Sequence, residues 1–136
     1  MPDFSRLTML LVEDDLDSRQ FLCEVLRACG ATVLDTDNVA KAKEIVTSTR
    51  LDLIVTDLAL PGEDGAAFLK WLRTPGRDKS RAVPVIAVTG FYETYPPAEV
   101  CGWAAYIQKP VGIEDFVRTI AAILKIPIDP PEGATG

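Results

Sequence analysis

The stretch LDLIVTDLALPGEDG, residues 51–65, is an apolar run that ends on a carboxylate. The apolar residues Leu51, Leu53, Ile54 and Val55 are typical of a buried strand, whereas Pro61-Gly62 favours a turn. Asp57 lies between these two features, at the position where the strand should end. A solvated loop acid is the simplest interpretation of one such Asp, so its function depends on what the other segments place beside it.

Four further apolar runs of strand length alternate with segments of helical periodicity. The runs are TMLLVE (8–13), ATVLDT (31–36), VPVIAVTG (83–90) and AAYIQK (104–109). Helical stripes are predicted over residues 17–29, 39–49, 66–72 and 113–124. Gly30 is expected to stop the first helix, and Asp37 or Asn38 to cap the second.

Strand–helix units repeated along one short chain predict a parallel sheet with helices on both faces. The nearly continuous apolar strands agree, because a doubly covered sheet has no wet face. We therefore predict an α/β, flavodoxin-like, doubly wound sheet of five strands in the order 2-1-3-4-5, with five helices. The fourth helix should be short or irregular, because Pro96-Pro97 falls where it is expected. The prediction is completed by one domain over residues 7–125 and a flexible tail over 126–136.

Composition excludes several kinds of function. The formal net charge of −6 argues against a nucleic-acid binder, which would show a basic face. The chain contains no histidine, so a Ser-His-Asp triad, an imidazole metal site and a phosphohistidine are excluded. No apolar run reaches the length of a membrane span, and the N-terminus MPDFSRLTML lacks the features of a signal peptide. A cytoplasmic protein is therefore expected.

The carboxyl ends of four predicted strands carry polar side chains suited to chemistry. They are Glu13 with Asp14, Asp57, Thr89 and Lys109, on strands one, three, four and five. In open α/β sheets, ligands bind beyond the carboxyl ends of the strands, where the strand order reverses. Clustered carboxylates call for a cation or raised pKa values, and oxygen ligands suit Mg²⁺. A lysine and a hydroxyl beside them suit a phosphoryl group, which makes Asp57 the candidate nucleophile for an acyl phosphate.

The motifs LLVEDD, DLIVTDLALPGEDG, VIAVTG and AAYIQKP together resemble the receiver (response-regulator) domain of two-component signalling. The resemblance covers nearly the whole chain, and the motifs occur in the expected order. It implies that Asp57 is the phosphoacceptor and that Asp14 binds Mg²⁺ directly, with Glu13 acting through water. It also implies that the backbone carbonyl of Ala59 binds the same ion.

The resemblance assigns further roles around the acceptor. It implies that the Thr89 hydroxyl and the Lys109 amine contact the phosphoryl group. Tyr106 matches the aromatic residue that rotates inward when receivers switch, so Thr89 and Tyr106 are the predicted switch residues. A cis peptide bond is expected before Pro110.

The resemblance also concerns the lifetime of the acyl phosphate. In receivers, the residues two beyond the acceptor and two beyond the threonine flank the path of the attacking water. Here these residues are Ala59 and Phe91. Neither side chain can hydrogen-bond to a water, so slow self-dephosphorylation is predicted.

The implied partners are proteins, with no nucleic acid and no membrane. Because the chain lacks histidine, the phosphodonor would be a histidine kinase or a histidine phosphotransfer protein. It is expected to dock on the first helix, residues 17–29, where Arg19 and Arg27 are taken as exposed positions. An unidentified downstream protein would read the signal from a monomer or a phosphorylation-dependent dimer.

Two alternatives stay open from the sequence. The first expectation is a receiver that stands alone, because the residues beyond 125 are too few for a DNA-binding module; the chain would equally fit a receiver module of a longer hybrid histidine kinase. A phosphatase with an aspartyl nucleophile is less favoured, because it would need a second acid two positions further on, where Ala59 stands. We therefore expect no enzymatic activity beyond the receiver's own phosphorylation and dephosphorylation.

Overall fold

The computed structural model describes residues 1–60, 62, 65–74, 83–90 and 102–128. Its strands are β1 (Thr8–Val12), β2 (Thr32–Thr36), β3 (Leu53–Asp57), β4 (Val85–Thr89) and β5 (Ala105–Gln108). The helices of the described residues are α1 (Leu16–Ala28), α2 (Val39–Ser48), α3 (Gly65–Leu72) and α4 (Ile113–Leu124). The irregular helix predicted around Pro96-Pro97 lies outside the described residues, as do residues 129–136 of the predicted tail.

The strands form one parallel sheet in the order β2-β1-β3-β4-β5, which confirms the predicted topology. β1 lies between β2 and β3, so the strand order reverses there. The register pairs Asp57 with Val88 and Thr89 with Gln108, which brings the carboxyl ends of the central strands to one edge. Ligand sites of such sheets lie beyond this edge.

Helices cover both faces of the sheet, as the continuous apolar strands indicate. On one face α1 and α4 bury Leu26 and Phe116 against the sheet. On the other face α2 and α3 bury Ala42 and Phe68. In the part of the chain that the structure describes, no helix combines the length and the apolar composition that crossing a bilayer requires.

Local signals place the helix ends close to their predicted positions. The Asp15 side chain caps α1 by accepting the Ser18 N–H at 2.9 Å. Gly30 follows α1 with a φ of 99°, a left-handed conformation that glycine adopts without strain. Of the two predicted caps for α2, Asn38 is the one observed, and its Oδ1 accepts the Lys41 N–H at 2.8 Å. Asp15 and Asn38 therefore mark where α1 and α2 begin, shortly after the ends of β1 and β2.

Candidate functional site

The carboxyl edge of the sheet gathers the predicted site residues. Asp57 ends β3 and Thr89 ends β4, and both residues are buried, with 5% and 0% of their surface exposed. Glu13 directly follows β1 and is 1% exposed, whereas Asp14 beside it is exposed. Lys109 directly follows β5, and its backbone N–H donates to the Thr89 carbonyl at 2.9 Å. Four strand ends thus deliver three acids, one hydroxyl and one amine to a single edge.

The Lys109 ammonium bridges two buried carboxylates. Its Nζ donates to Asp57 Oδ2 at 2.7 Å and lies 2.8 Å from Glu13 Oε2. Burial alone would lower the pKa of Lys109, but its hydrogen bonds to the two carboxylates outweigh burial and raise that pKa. Burial raises the pKa of Glu13, and the hydrogen bonds from Lys109 and from the Asp15 N–H oppose that rise only in part. Lys109 therefore remains a cation in contact with both acids.

The second oxygen of Asp57 is also engaged. Asp57 Oδ1 accepts the backbone N–H of Ala59 at 3.0 Å, so the two carboxylate oxygens have different partners. The Thr56 hydroxyl donates to the Asp57 carbonyl at 2.9 Å and fixes the peptide from the other side. The binding of Mg²⁺ by the Ala59 carbonyl remains a prediction. The contact of the Ala59 N–H with Asp57 was not predicted from the sequence. The carboxylate is held in one orientation before any ligand arrives.

Glu13, Asp14 and Asp57 form a candidate cation site. One carboxylate oxygen from each lies within 4.8 Å of the other two. Hard cations such as Mg²⁺ take oxygen ligands and usually keep several waters, so a site with one exposed acid suits them. The three carboxylates therefore fit Mg²⁺, the ion predicted from the sequence.

Of the remaining predicted residues, Tyr106 lies on β5 and Pro110 directly follows Lys109. Tyr106 is half-buried on β5, the strand next to Thr89, and packs against the core on the α2 and α3 face. The Lys109-Pro110 peptide bond is cis, as expected. Phe91 lies outside the described residues. The switching roles of Thr89 and Tyr106 remain predictions.

Comparison with known proteins agrees with this geometry. Residues 9–121 match the family model of the response regulator receiver domain. The chain belongs to the response regulator receiver family. The receiver is 32% identical to the polar-differentiation response regulator DivK of Brucella anthropi over 119 residues, which cover 86% of this chain and 95% of DivK.

Solved structures share the fold of this receiver. One is the receiver domain of the sensor histidine kinase PA1611 from Pseudomonas aeruginosa, solved with a magnesium ion coordinated in its active site cleft. It has a TM-score of 0.78 and 25% identity, and the match covers 88% of this chain and 98% of that one. Another is the chemotaxis response regulator CheY4 of Vibrio cholerae, with 22% identity and a TM-score of 0.77. This match covers 86% of this chain and 98% of CheY4.

Sequence reasoning missed Gly65, which lets α3 begin directly beneath the acceptor strand. A Cβ at this position would overlap the carbonyl oxygen of Asp57, and it would also come within 3.0 Å of Leu58. The Gly65 N–H donates to the Leu58 carbonyl at 3.0 Å. The available signal was a glycine at a helix start, where a better helix former would be expected. Gly65 permits the close approach that sets the backbone of Asp57.

Gly65→Ala is expected to destabilise the receiver by about 1–3 kcal/mol, the usual cost of forcing extra atoms into a packed site. Urea unfolding of the metal-free protein measures the change. Gly90→Ala is the matched control at the same edge, because none of the described residues, its chain neighbours aside, places an atom within 4 Å of its added Cβ. Equal unfolding free energies for the two variants would show that Gly65 has no steric role.

Proposed function

We propose that this receiver is a phosphoacceptor switch, which takes a phosphoryl group onto Asp57 from a histidine kinase or a histidine phosphotransfer protein. The observation that carries the proposal is the bridge made by Lys109. Its one ammonium contacts the candidate nucleophile Asp57 at 2.7 Å and the neighbouring acid Glu13 at 2.8 Å. Phosphoryl transfer depends mostly on positioning and on neutralising charge, and a lysine among carboxylates at a strand edge is suited to both.

Mg²⁺ is the proposed cofactor. Asp14 and Asp57 would bind the ion directly together with the Ala59 carbonyl, and Glu13 would act through a water. The bound ion supplies positive charge for the phosphoryl oxygens and relieves the repulsion among the three acids. The magnesium ion in the active site cleft of the PA1611 receiver domain supports this choice.

In the proposed transfer, a carboxylate oxygen of Asp57 forms the new O–P bond. The P–N bond to the donor imidazole breaks, and its electron pair leaves with the imidazole nitrogen. Lys109 then pairs with a phosphoryl oxygen in place of Asp57 Oδ2. The Thr89 hydroxyl donates to another phosphoryl oxygen, and this contact draws the end of β4 toward the phosphoryl group. Tyr106, on the adjacent strand β5, then rotates inward. The resulting change of surface is what the downstream protein would read.

The phosphodonor is proposed to dock at the start of α1. The sequence-based expectation that Arg19 is an exposed docking position is wrong, because its side chain is 18% exposed and is paired with Asp35. Arg27 is 52% exposed but also pairs with Asp35. The apolar side chains that α1 leaves to solvent are Leu16 and Phe21, which are 53% and 42% exposed. These offer the contact surface that a protein donor needs and a small-molecule donor does not.

Leu16→Ala is expected to slow transfer from a histidine phosphodonor roughly 5- to 30-fold, which corresponds to losing about 1–2 kcal/mol of interface contact. Transfer from acetyl phosphate should keep its wild-type rate, because that donor is too small to use the surface. Ile128→Ala removes an apolar side chain of similar exposure beyond α4 and serves as the control. Equal slowing of Leu16→Ala with both donors would argue against docking.

The chemical nature of the product tests the proposed function. The full chain is incubated with acetyl phosphate and Mg²⁺, and the product is then treated with hydroxylamine. We expect one phosphoryl group per chain, released by hydroxylamine, because an acyl phosphate is cleaved by this nucleophile whereas a phosphoserine or phosphothreonine is not. A label that resists hydroxylamine, or no label at all, would contradict an aspartyl phosphate.

A further inference from the structure

Arg19 connects the acidic pair to the edge strand of the sheet. From α1, its Nη1 donates to the backbone carbonyl of Glu13 at 2.9 Å. Its Nε donates to Asp35 Oδ2 on β2 at 3.2 Å. The same residue, Glu13, donates its own N–H to the Thr36 carbonyl at 3.0 Å. Both polar backbone groups of Glu13 are thus tied to β2, one directly and the other through Arg19.

We infer that Arg19, anchored by Asp35, is a positioning residue that holds Glu13 and Asp14 in the geometry that binds Mg²⁺, an inference that rests on the proposed function. β1 ends at Val12, so Glu13 and Asp14 lie beyond the regular strand. The direction of the Asp14 side chain therefore depends on how this short segment of backbone is held, and that of Glu13 depends on the backbone together with its contact to Lys109. Removing a group that orients a metal ligand typically weakens metal binding, although that group does not itself touch the metal.

The sign of the effect separates positioning from simple electrostatics. Arg19 carries a positive charge close to the acidic cluster, so its charge alone opposes the binding of a cation. If Arg19 acted only through charge, its removal would tighten Mg²⁺ binding. If it holds the Glu13 peptide, its removal weakens binding although the site becomes more negative.

Arg27 provides a control within the same cluster. It lies on the same helix and contacts the same anchor, with Nη2 3.5 Å from Asp35 Oδ1. Its hydrogen bond to backbone goes to the Val33 carbonyl at 2.9 Å, on β2, instead of to the acidic pair. Arg27→Ala therefore removes an equal charge and an Asp35 contact without releasing Glu13.

The test is a calorimetric titration of the metal-free full chain with MgCl₂, together with the thermal unfolding midpoint of each variant without metal. Arg19→Ala is expected to weaken Mg²⁺ binding about 10-fold, the lower end of the range for groups that orient ligands. Arg27→Ala should bind Mg²⁺ with wild-type affinity, even if its unfolding midpoint falls as far as that of Arg19→Ala. Arg19→Lys should stay weakened, because an ammonium lacks the planar fork that serves both acceptors.

The outcomes separate this inference from the proposed function. Wild-type affinity or tighter binding in Arg19→Ala, or full recovery in Arg19→Lys, would overturn the positioning role while leaving the magnesium site intact. No Mg²⁺ binding by the wild type would overturn the proposed function itself, and the inference with it. If Arg19→Ala does not fold, Asp35→Ala replaces it. This variant removes the oxygen that anchors Arg19 and is expected to weaken Mg²⁺ binding, so wild-type affinity in it would also refute the inference.

Discussion

Lys109→Met is expected to slow phosphorylation of Asp57 by about 10²- to 10³-fold, as removal of one preorganised donor commonly does. Among the described residues, Lys109 is the cation in ion-pair contact with Asp57. Methionine has a similar length and no charge, so the phosphoryl oxygens lose their fixed partner and the two buried acids lose their bridge. The initial rate of phosphoryl gain from acetyl phosphate, at saturating Mg²⁺, measures the effect.

Lys41→Met is the control for this loss of charge. Lys41 lies on α2 with its side chain 61% exposed, and its pairing with Glu44 at 3.5 Å is of the exposed kind that contributes little. We expect this variant to be phosphorylated at the wild-type rate. A Lys109→Met protein that is folded by circular dichroism and reacts as fast as Lys41→Met would contradict the assigned role.

The acyl phosphate of the receiver is expected to hydrolyse slowly. The double variant Ala59→Asn with Phe91→Glu is expected to shorten the lifetime of this acyl phosphate by up to about 10²-fold. The reason is the lack of a side chain that can orient a water at either position. In the structure Ala59 is half-buried and offers Asp57 only its backbone N–H, so its methyl group cannot hydrogen-bond to a water. Single-turnover decay of the purified phosphorylated proteins measures both lifetimes.

The single variants divide the effect between the two positions. Ala59→Asn adds a hydrogen-bonding group beside Asp57 without changing residue 91, and the lifetime of the double variant shows what the second change adds. A double variant with an unchanged or longer lifetime would contradict the explanation. In that case access of water to the acyl phosphate would not be controlled by these two side chains.

The sheet and the composition of its edge were predictable for a simple physical reason. A strand covered on both faces is mostly apolar; all five residues of β3 are buried, and its two polar residues, Thr56 and Asp57, come at its carboxyl end. The apolar runs could therefore be located by composition, and parallel topology brings their carboxyl ends together without further information. Asp57, Thr89 and Lys109 meet because each comes at or directly after the end of a strand.

The contacts that hold the site were harder to predict. Arg19 was expected to face solvent, yet it lies three and seven positions before Leu22 and Leu26, on the buried stripe of α1. A charged residue on such a stripe indicates a polar partner. The sequence cannot identify this partner, because Asp35 lies on β2, 16 positions further along the chain. Gly65 was missed because a glycine at a helix start is a weak signal, whereas its close approach to the backbone of Asp57 is visible only in the fold. Strand-end chemistry is thus visible in the sequence, whereas the interactions that orient it require the fold.

The central claim, that Asp57 accepts the phosphoryl group, is tested most directly by intact mass spectrometry of three proteins treated side by side with acetyl phosphate and Mg²⁺. These are the wild type, Asp57→Asn, and Asp57→Asn with Lys109→Met. The wild type is predicted to gain the mass of one phosphoryl group when Mg²⁺ is present and none when the metal is chelated, and both variants should gain none. Labelling of Asp57→Asn to the wild-type extent would contradict the account.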